Sequence, residues 1–281
     1  MMRKINVEVI TKTVKELCME ANYYCNEDIR DALIKSKKTE ESPIGSSILD
    51  QIIQNADIAS RKKMPICQDT GMAIIFLTIG QEIYFEGGLL EEAVQEGVRQ
   101  GYDEGFLRKS IVRDPFDRVN TGDNTPAIIH YDIVKGDKLI VEVAPKGFGS
   151  ENMSRIHMLK PSDGIEGAKE AIISTVDLAG GNACPPMVIG VGIGGSFEKA
   201  AFLSKKALLR DVGEHSTIPY VKALEIELLE SINRLGIGPQ GLGGRTTALG
   251  IHIEVFPTHI AGLPVAVNIG CHVTRHAKRT I

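Results

Sequence analysis

The chain has 281 residues, a formal net charge of −4, and a composition that is 43% hydrophobic, 24% charged and 5% aromatic. A chain of this length and hydrophobicity can bury a large core, so the composition excludes disorder and indicates a soluble globular protein. The near-neutral charge balance argues against nucleic acid as a partner. No apolar run is long enough to span a membrane and no signal-peptide core follows the N-terminal charges, so we expect a cytoplasmic protein with no membrane partner.

The first part of the chain is predicted to be helical. Apolar residues from Val7 to Ala21 recur at the three-to-four spacing of one helix face. Ser42 and Pro43 then combine a cap residue with a proline at the first helical position, and a second apolar stripe continues to Ala56. We therefore expect a helical N-terminal lobe over about residues 1–63.

From Met64 onward, short apolar runs bounded by glycine and proline indicate β-strands, and helical patterns lie between them. Lys135-Gly136-Asp137 is predicted to be a hairpin turn, and Gly236 a helix stop. The expected fold class is mixed α/β, a helical lobe followed by an α/β body with a mixed sheet and glycine-rich loops, in a single domain over residues 1–281. The predicted strands lie at 73–79, 127–134, 139–144, 187–191, 251–256 and 265–269, and the later helices at 90–98, 168–176 and 221–235.

The five cysteines divide by their surroundings. An odd number of cysteines in a reducing compartment argues against a disulfide framework. Cys18 and Cys25 share a helical stretch and are expected to be small buried hydrophobes. Cys67, Cys184 and Cys271 each stand at the edge of an apolar run beside glycine or proline, where a loop can present a thiolate. Their wide separation matches no local metal motif, so the pattern permits either three unrelated structural cysteines or one three-thiolate site.

Glycines concentrate in three loops, Gly147–Gly149, Gly190–Gly195 and Gly241–Gly244. Gly190–Gly195 (GVGIGG) follows an apolar run and precedes a helical pattern, as a dinucleotide-binding loop does. Its glycine spacing differs from G-x-G-x-x-G, and no acidic residue follows in a strand at the distance that binding of a ribose requires. A dinucleotide site is therefore disfavoured.

Five segments of the chain carry a pattern that is far more specific together and in order than any one of them alone. They are Pro65–Gly71 (PICQDTG), Val119–Pro126 (VNTGDNTP), Lys146–Asn152 (KGFGSEN), Gly241–Leu249 (GLGGRTTAL) and Asn268–Cys271 (NIGC). These segments resemble the signature segments of the class I iron–sulfur fumarate hydratases and the related L-tartrate dehydratases. The resemblance runs from about residue 10 to the end and covers only the α part of that family. It implies the α subunit of a hydro-lyase, with a separate β subunit completing the active site in an α2β2 or similar oligomer.

The resemblance further implies the reaction and its cofactor. The reaction is the reversible hydration of fumarate to (S)-malate, with dehydration of tartrate to oxaloacetate as the alternative, so the substrate is a small dicarboxylate. The cofactor is a [4Fe–4S] cluster held by Cys67, Cys184 and Cys271. Three thiolates leave one iron open to act as a Lewis acid toward a substrate oxygen, which agrees with hydration chemistry.

The resemblance also implies residues that bind the substrate. Arg108 corresponds to a substrate-binding arginine of the family, and a guanidinium suits a carboxylate because it binds bidentately and stays charged. Arg113 and Arg118 are the fallbacks, and surface charge is the alternative for all three. Gln68 and Asp69 directly follow a cluster ligand and are expected to contact substrate. Asp69 is a candidate for proton transfer, or alternatively a turn aspartate bonded to its own backbone.

The remaining candidates support the site. His259, in the segment before Cys271, resembles an active-site histidine, or alternatively is a core or interface histidine. Gly147–Gly149, with Gly149 as the substrate contact, and Gly192–Gly195, beside the cluster, are expected to offer backbone N–H groups to anions, or else to be tight turns. Side-chain hydrogen bonds that brace the site are expected from Asn120, Thr121 and Asn124. The C-terminal segment carries three basic residues that either face the β subunit or are solvated, namely Arg275, Lys278 and Arg279.

One alternative from another functional class remains open at this point. The chain could be a non-catalytic binding or scaffold protein whose three thiols hold zinc or no metal at all. Absence of iron and sulfide from anaerobically purified protein would favour it.

Overall fold

The computed structural model describes residues 2–281, which divide into two compact units. Unit 1 comprises residues 2–26, 56–148 and 275–281, and unit 2 comprises residues 27–55 and 149–274. The mixed α/β class is confirmed, while the single domain stays a prediction. The helices are α1 (Val7–Tyr23), α2 (Glu27–Thr39), α3 (Pro43–Lys62), α4 (Leu90–Glu104), α5 (Phe148–Glu151), α6 (Gly164–Ala179), α7 (Phe197–Ala207) and α8 (Pro219–Asn233). The strands are β1 (Arg3–Asn6), β2 (Met72–Gly80), β3 (Ile83–Glu86), β4 (Ile128–Val134), β5 (Leu139–Lys146), β6 (Arg155–Leu159), β7 (Met187–Gly194), β8 (Ala248–Phe256), β9 (Leu263–Gly270) and β10 (Ala277–Thr280).

Unit 1 is built on a four-stranded sheet in the order β10-β5-β2-β4, beside a parallel pair formed by β1 and β3. Helix α1 packs against α4 and against β5, and the apolar face predicted from its periodicity is buried in this core. The two helices approach closely at Gly97, where a Cβ atom would lie 2.6 Å from the carbonyl oxygen of Thr11. A side chain at this position would therefore separate α4 from α1.

The predicted hairpin between β4 and β5 is wrong. A turn does form at Lys135-Gly136-Asp137, but β2 lies between the two strands, parallel to β4 and antiparallel to β5. The connection crosses the end of β2 at Gly80, where a Cβ atom would lie 2.3 Å from the carbonyl oxygen of Gly136. Turn residues alone do not predict pairing, because a third apolar strand can insert between the two that the turn joins.

Unit 2 contains a second four-stranded sheet, in the order β6-β9-β7-β8, in which β7 is parallel to β8 and antiparallel to β9. Helix α7 packs on β7 and β9, and α6 and α8 pack on β9 and β8. Alternate residues of β7 serve different faces: Met187, Ile189 and Val191 belong to the core with α6 and α8. Gly190 and Gly192 face α7 instead.

Local signals for helix ends were reliable. Helix α3 begins at Pro43, and the Ser42 hydroxyl accepts a hydrogen bond of 3.1 Å from the backbone N–H of Gly45, as a cap residue does. Gly236 has a φ of 71° shortly after the end of α8, which confirms it as a stop. Among residues 2–281, no helix is long and apolar enough to cross a membrane. A cytoplasmic location stays a prediction.

Cys18 and Cys25 do not share a helix face. Cys18 lies on α1 with no exposed surface, as predicted, and burial raises the pKa of its thiol to about 12. Cys25 lies beyond the end of α1, in the connection to α2, and is half-buried. The prediction failed for Cys25 because α1 ends at Tyr23, before the seven-residue repeat returns to the buried face.

Candidate functional site

In unit 1, the predicted site residues that follow Cys67 form a loop between α3 and β2. The thiol of Cys67 lies 3.4 Å from the side-chain oxygen of Gln68, whose side chain is exposed. The loop then turns inward, so that Thr70 and Gly71 are buried at the start of β2. A half-buried thiol beside an exposed amide is an arrangement that can meet a ligand from solvent.

The carboxylate of Asp69 joins this loop to the first glycine-rich loop. One oxygen accepts a hydrogen bond of 2.9 Å from the backbone N–H of Gly71, which is the local turn contact considered as an alternative. The other oxygen accepts one of 2.9 Å from the backbone N–H of Phe148. A Cβ atom on Gly147 would approach this second oxygen to 3.2 Å, so glycine leaves room for the carboxylate. Asp69 therefore has both a turn function and a fixed position facing Gly147.

Buried polar side chains hold the backbone of the Cys67–Gly71 loop from below. The Arg275 guanidinium donates a hydrogen bond of 2.7 Å to the carbonyl of Asp69, and the Tyr102 hydroxyl donates one of 2.8 Å to the carbonyl of Thr70. The amide of Asn124 donates one of 3.2 Å to the carbonyl of Gly71. Burial raises the pKa of Tyr102, which keeps its hydroxyl protonated and able to donate. The carbonyls of three successive residues are thereby fixed.

Two of these three supports were not found from the sequence. Tyr102 lies within the apolar pattern of α4, which gives no sign of a polar contact, and the sequence predicts that Arg275 belongs to a basic tail facing a partner or solvent. That assignment is wrong for Arg275, which is only 5% exposed. Bracing by Asn124 was predicted and is confirmed, as is bracing by Asn120, which donates to the carbonyl of Lys109 over 2.9 Å. The tail assignment failed because β10 carries the chain back into unit 1.

Arg108 lies beside the Cys67–Gly71 loop through its backbone. Its carbonyl accepts a hydrogen bond of 3.2 Å from the hydroxyl of Thr70, and its side chain is exposed. The two fallback arginines, Arg113 and Arg118, are also exposed, and the Arg118 guanidinium bonds to the carbonyl of Pro115 in its own turn. Of the three, Arg108 is the one whose backbone is bonded to the loop that carries Gln68 and Asp69.

In unit 2, the segments that carry Cys184 and Cys271 lie side by side. The residue after Cys271, His272, donates its backbone N–H to the carbonyl of Cys184 over 3.2 Å, and its ring nitrogen lies 2.9 Å from the same oxygen. Cys184 has a left-handed backbone and an exposed side chain. The fold of unit 2 therefore presents these two thiols from one end of its sheet.

The chemistry of these two thiols fits that of metal ligands. The backbone N–H of Val273 points at the sulfur of Cys271 over 3.4 Å, so the sulfur already faces a hydrogen-bond donor. None of the five cysteines forms a disulfide, and this includes Cys67 in unit 1. Within residues 2–281, no group of three or more histidine, cysteine or acidic side chains is assembled as a metal site. The three-cysteine ligand set therefore remains a proposal.

Gly149 lies next to the Cys184 segment, and its neighbour Glu151 fastens this loop to β9. A Cβ atom on Gly149 would find only the carbonyl of Asn182 nearby, at 3.9 Å, so the space above it is open. Glu151 accepts a hydrogen bond of 3.0 Å from the amide of Asn268 and pairs with the ammonium group of Lys205. Burial lowers the pKa of Lys205, although the Glu151 carboxylate opposes this effect. Glu151 and Asn268 lie in the motif segments, but the sequence did not predict that they form a polar cluster with Lys205.

The second predicted anion loop, Gly192–Gly195, is not where the sequence placed it. Gly192 lies inside β7, where a Cβ atom would be 2.1 Å from the carbonyl oxygen of Ala200 in α7. Only Gly194 and Gly195 have positive φ angles, and they stand at the far end of the strand from Cys184. At roughly 3.3 Å per residue, the length of β7 separates them by about 23 Å. The clustering of glycines reflects close packing of a helix here, rather than an anion loop beside Cys184.

His259 also lies at the far end of this sheet. It follows β8, which runs parallel to β7, so it is next to Gly195 and remote from Cys184. Its Nδ1 accepts a hydrogen bond of 3.2 Å from the backbone N–H of Ala261 within an exposed turn. Cys271 follows β9, which is antiparallel to β7 and returns to the Cys184 end. Unit 2 therefore brings Cys184, Cys271 and Gly149 together and leaves His259 apart from them.

Comparison with known proteins identifies relatives over almost the whole chain. A family model described as fumarate hydratase (Fumerase) matches residues 11–280. A protein of Methanocaldococcus jannaschii, provisionally named L(+)-tartrate dehydratase subunit alpha, is 45% identical over 278 residues, which cover 97% of each chain. The L(+)-tartrate dehydratase subunits alpha of Escherichia coli strains UTI89 and K12 are 36% and 35% identical over 273 residues, covering 96% of this chain and 89% of theirs.

Proposed function

Because the chain belongs to the fumarate hydratase (Fumerase) family, and is accordingly a hydro-lyase, we propose that it is the α subunit of an iron–sulfur hydro-lyase acting on L(+)-tartrate. The observation that carries this proposal is the similarity to proteins named tartrate dehydratase subunit alpha over nearly the full length of both chains. Removal of water from tartrate breaks one C–O bond and one C–H bond on the neighbouring carbon. The enol that results tautomerises to oxaloacetate.

Fumarate, expected first from the sequence, is the second candidate substrate, and the description of the family model favours it. Malate and tartrate differ by one hydroxyl group, and both carry two carboxylates. The names of the relatives favour tartrate, whereas the family description favours fumarate. A site built to hydrogen-bond the additional hydroxyl would reject malate by a large factor, because its polar groups would be left unpaired.

We assign the cluster ligands to Cys67, Cys184 and Cys271. Two observations in unit 2 support this assignment, namely the adjacent Cys184 and Cys271 segments and the backbone N–H directed at the sulfur of Cys271. A bound [4Fe–4S] cluster with one open iron would supply a Lewis acid for a substrate oxygen. The exposure of Cys184 and the partial exposure of Cys67 and Cys271 leave the thiols accessible for assembly.

The protein groups around these thiols have separate tasks in the proposed reaction. The guanidinium of Arg108 would bind a substrate carboxylate, and the exposed amide of Gln68 would hydrogen-bond a substrate oxygen. The backbone of Gly149 borders open space and would pack against the substrate. The Asp69 carboxylate is held in place by two backbone N–H groups, and we assign it the task of accepting a proton. His259 is retained from the family resemblance alone.

The partner is proposed from the names of the relatives. They are called subunit alpha, which implies a β subunit alongside each of them. We propose that a separate β subunit completes the active site of this chain, and that the assembly is α2β2 or similar. On this proposal the α chain alone would bind a cluster but would not turn over substrate.

The test is to produce the chain together with its β subunit under anaerobic conditions and to compare substrates. We expect kcat/KM for L(+)-tartrate to exceed that for (S)-malate by at least about 100-fold. A preference for malate and fumarate over L(+)-tartrate would identify fumarate, the second candidate, as the substrate. An iron-loaded complex that turns over neither would contradict the hydro-lyase proposal itself.

The cluster assignment has a test that does not depend on activity. Iron and sulfide content are measured after anaerobic purification of Cys67→Ser, Cys184→Ser and Cys271→Ser, and each variant is expected to lose the cluster. Cys18→Ser and Cys25→Ser are the matched controls and are expected to keep it. Loss in either control, or full iron content in any of the three variants, would show that the ligands are assigned wrongly.

A further inference from the structure

Strand β4 forms an unprotected edge of the sheet in unit 1. It pairs with β2 along its whole length, from Ile128 to Val134, without a register shift, and it lies at the end of the strand order. Edge strands are normally blunted by lysine, proline, bulges or short length, because their open backbone groups recruit other strands. The opposite edge, β10, follows this rule with four residues that include Lys278 and Arg279, whereas β4 contains neither lysine nor proline.

The backbone groups that β4 turns outward can be identified from one hydrogen bond. The N–H of Gln81 donates to the carbonyl of Val134 over 2.8 Å, so Val134 faces β2. Backbone groups alternate in direction along a strand. Ile129, Tyr131 and Ile133 therefore direct their N–H and carbonyl groups away from β2.

The side chains of β4 are unusually apolar for so exposed a strand. Ile133 is 72% exposed, Tyr131 49%, Ile128 44% and Val134 39%. Exposed apolar residues that lie together on a long, regular edge mark a site of association. In a monomer this strand would be a hazard for aggregation.

We propose that β4 pairs with β4 of a second copy of this chain, antiparallel and about a two-fold axis at Tyr131. In this register Ile129 lies opposite Ile133 of the other copy, and Tyr131 lies opposite its own equivalent. These are the three residues with outward backbone groups, so each of them exchanges hydrogen bonds with the other copy. The two sheets thereby become one continuous sheet of eight strands.

The side-chain sequence of β4 is complementary to itself in this register. Ile128 lies opposite Val134, which pairs apolar with apolar side chains, and His130 lies opposite Asp132, which pairs an imidazole with a carboxylate. Because the pairing is two-fold, each of these contacts occurs twice. A shift by two residues would place His130 opposite Val134 and Asp132 opposite its own equivalent, or His130 opposite its own equivalent and Asp132 opposite Ile128. Either shift would lose the imidazole–carboxylate pair. This self-complementarity is what favours a second copy over an unrelated strand as the occupant, and it depends on no assignment of substrate or cluster.

The register is tested by cysteine cross-linking. Residues in a hydrogen-bonded antiparallel pair have Cα atoms about 5.5 Å apart, within the range that a disulfide spans. Tyr131→Cys is therefore expected to give a covalent dimer under mild oxidation, at a yield well above that of the unsubstituted chain. Ile133→Cys is the matched control: its two copies lie four residues apart along the strand, about 13 Å, and are expected not to cross-link. Equal yields from both variants would overturn the register.

The association itself is tested by mass measurement with light scattering, on the chain alone and on its complex with the β subunit. Ile133→Lys is expected to halve the mass of the assembly. Leu178→Lys, a lysine at an equally exposed apolar residue on α6, is expected to leave it unchanged, since Leu178 is also 72% exposed. An unchanged mass for Ile133→Lys would overturn the proposal. The proposal would also be overturned if Ile133→Lys released only the β subunit and left two copies of this chain together, because the β subunit would then be the partner that covers β4.

Discussion

The guanidinium of Arg275 reaches the backbone carbonyl of Asp69 over 2.7 Å, across 206 residues of sequence. It acts on the backbone and leaves the Asp69 carboxylate to the N–H groups of Gly71 and Phe148. The carboxylate proposed to accept a proton is thus positioned by contacts at both ends of the residue.

We predict that Arg275→Ala lowers kcat more than it raises KM. The substitution removes a hydrogen bond to a partly buried carbonyl, which costs about 1 kcal/mol, and a small displacement of a catalytic group reduces the rate by roughly tenfold or more. Arg275→Lys can still donate and should recover part of kcat. Lys278→Ala, at an exposed residue of the same C-terminal segment, is the control and should leave both parameters unchanged. An effect confined to thermal stability, with normal kcat, would limit Arg275 to a structural role.

Thiol reactivity should distinguish Cys18 from Cys184 in the folded, cluster-free chain. Burial raises the pKa of Cys18 to about 12, and the residue has no exposed surface, whereas Cys184 is exposed. At pH 8 only about one Cys18 in 10⁴ would be a thiolate, and alkylation requires the thiolate. Mass spectrometry after brief treatment with iodoacetamide should find Cys184 modified and Cys18 intact until the protein is unfolded. Early modification of Cys18 would mean that α1 opens locally.

Gly192→Ala should destabilise the protein strongly. The added methyl group would lie 2.1 Å from the carbonyl oxygen of Ala200, so α7 would have to move away from β7. We expect a loss of at least about 1–3 kcal/mol of unfolding free energy, measured by urea denaturation. Gly262→Ala is the matched control, because a Cβ atom there has no neighbour closer than 3.9 Å. Its unfolding free energy should change by less than about 0.5 kcal/mol.

The stability of the folded chain should depend on His252 between pH 6.5 and pH 4. Burial, with a smaller contribution from the Arg210 charge, lowers the pKa of this histidine from 6.5 to about 4. Below pH 6.5 the unfolded chain gains a proton that the folded chain does not accept, so stability falls as the pH falls through this range. The loss amounts to about 3 kcal/mol by pH 4.

His252→Asn provides the test of this dependence. Asparagine can keep the hydrogen bond of 3.2 Å that the ring nitrogen makes to the carbonyl of Ala207, and it does not titrate. The difference between the unfolding free energies at pH 7 and pH 4.5 should therefore be about 2–3 kcal/mol smaller in the variant than in the unsubstituted chain. Equal pH dependence in the two proteins would show that other groups control it.

Local signals predicted the elements well and their arrangement less well. The apolar runs predicted the long strands, because most of them, such as β2, β7 and β9, are largely buried on both faces and leave a continuous apolar stretch. Strand β4 was also predicted from an apolar run, although it is exposed. Four short strands, β1, β3, β6 and β10, were missed because their pairing partners, rather than their own composition, make them strands. The hairpin failed for a related reason, since only tertiary packing places β2 between β4 and β5.

The candidate site was predictable where chemistry is local and not where it is assembled from distant segments. Asp69 and Gly147 were singled out by their motifs, and the structure joins them. Arg275 and Lys205 carry no local signal, because the neighbouring residues in sequence do not show whether a basic side chain is buried or exposed. Gly194 was expected beside the cluster because it follows Cys184 closely in sequence, and His259 was proposed from the family resemblance. Strand direction places both residues at the other end of the sheet from Cys184.

Strand β10 is made from residues 277–280, yet it forms one edge of the sheet that begins at residue 72. Proteins fold from their N-terminus as they are synthesised. Unit 1 therefore cannot close before residues 275–280 have been synthesised and have left the ribosome, although most of its chain emerges much earlier. Arg275 arrives with the same segment, so the Cys67–Gly71 loop acquires its final support late in synthesis. Cluster insertion that needs an ordered loop would then wait for this segment.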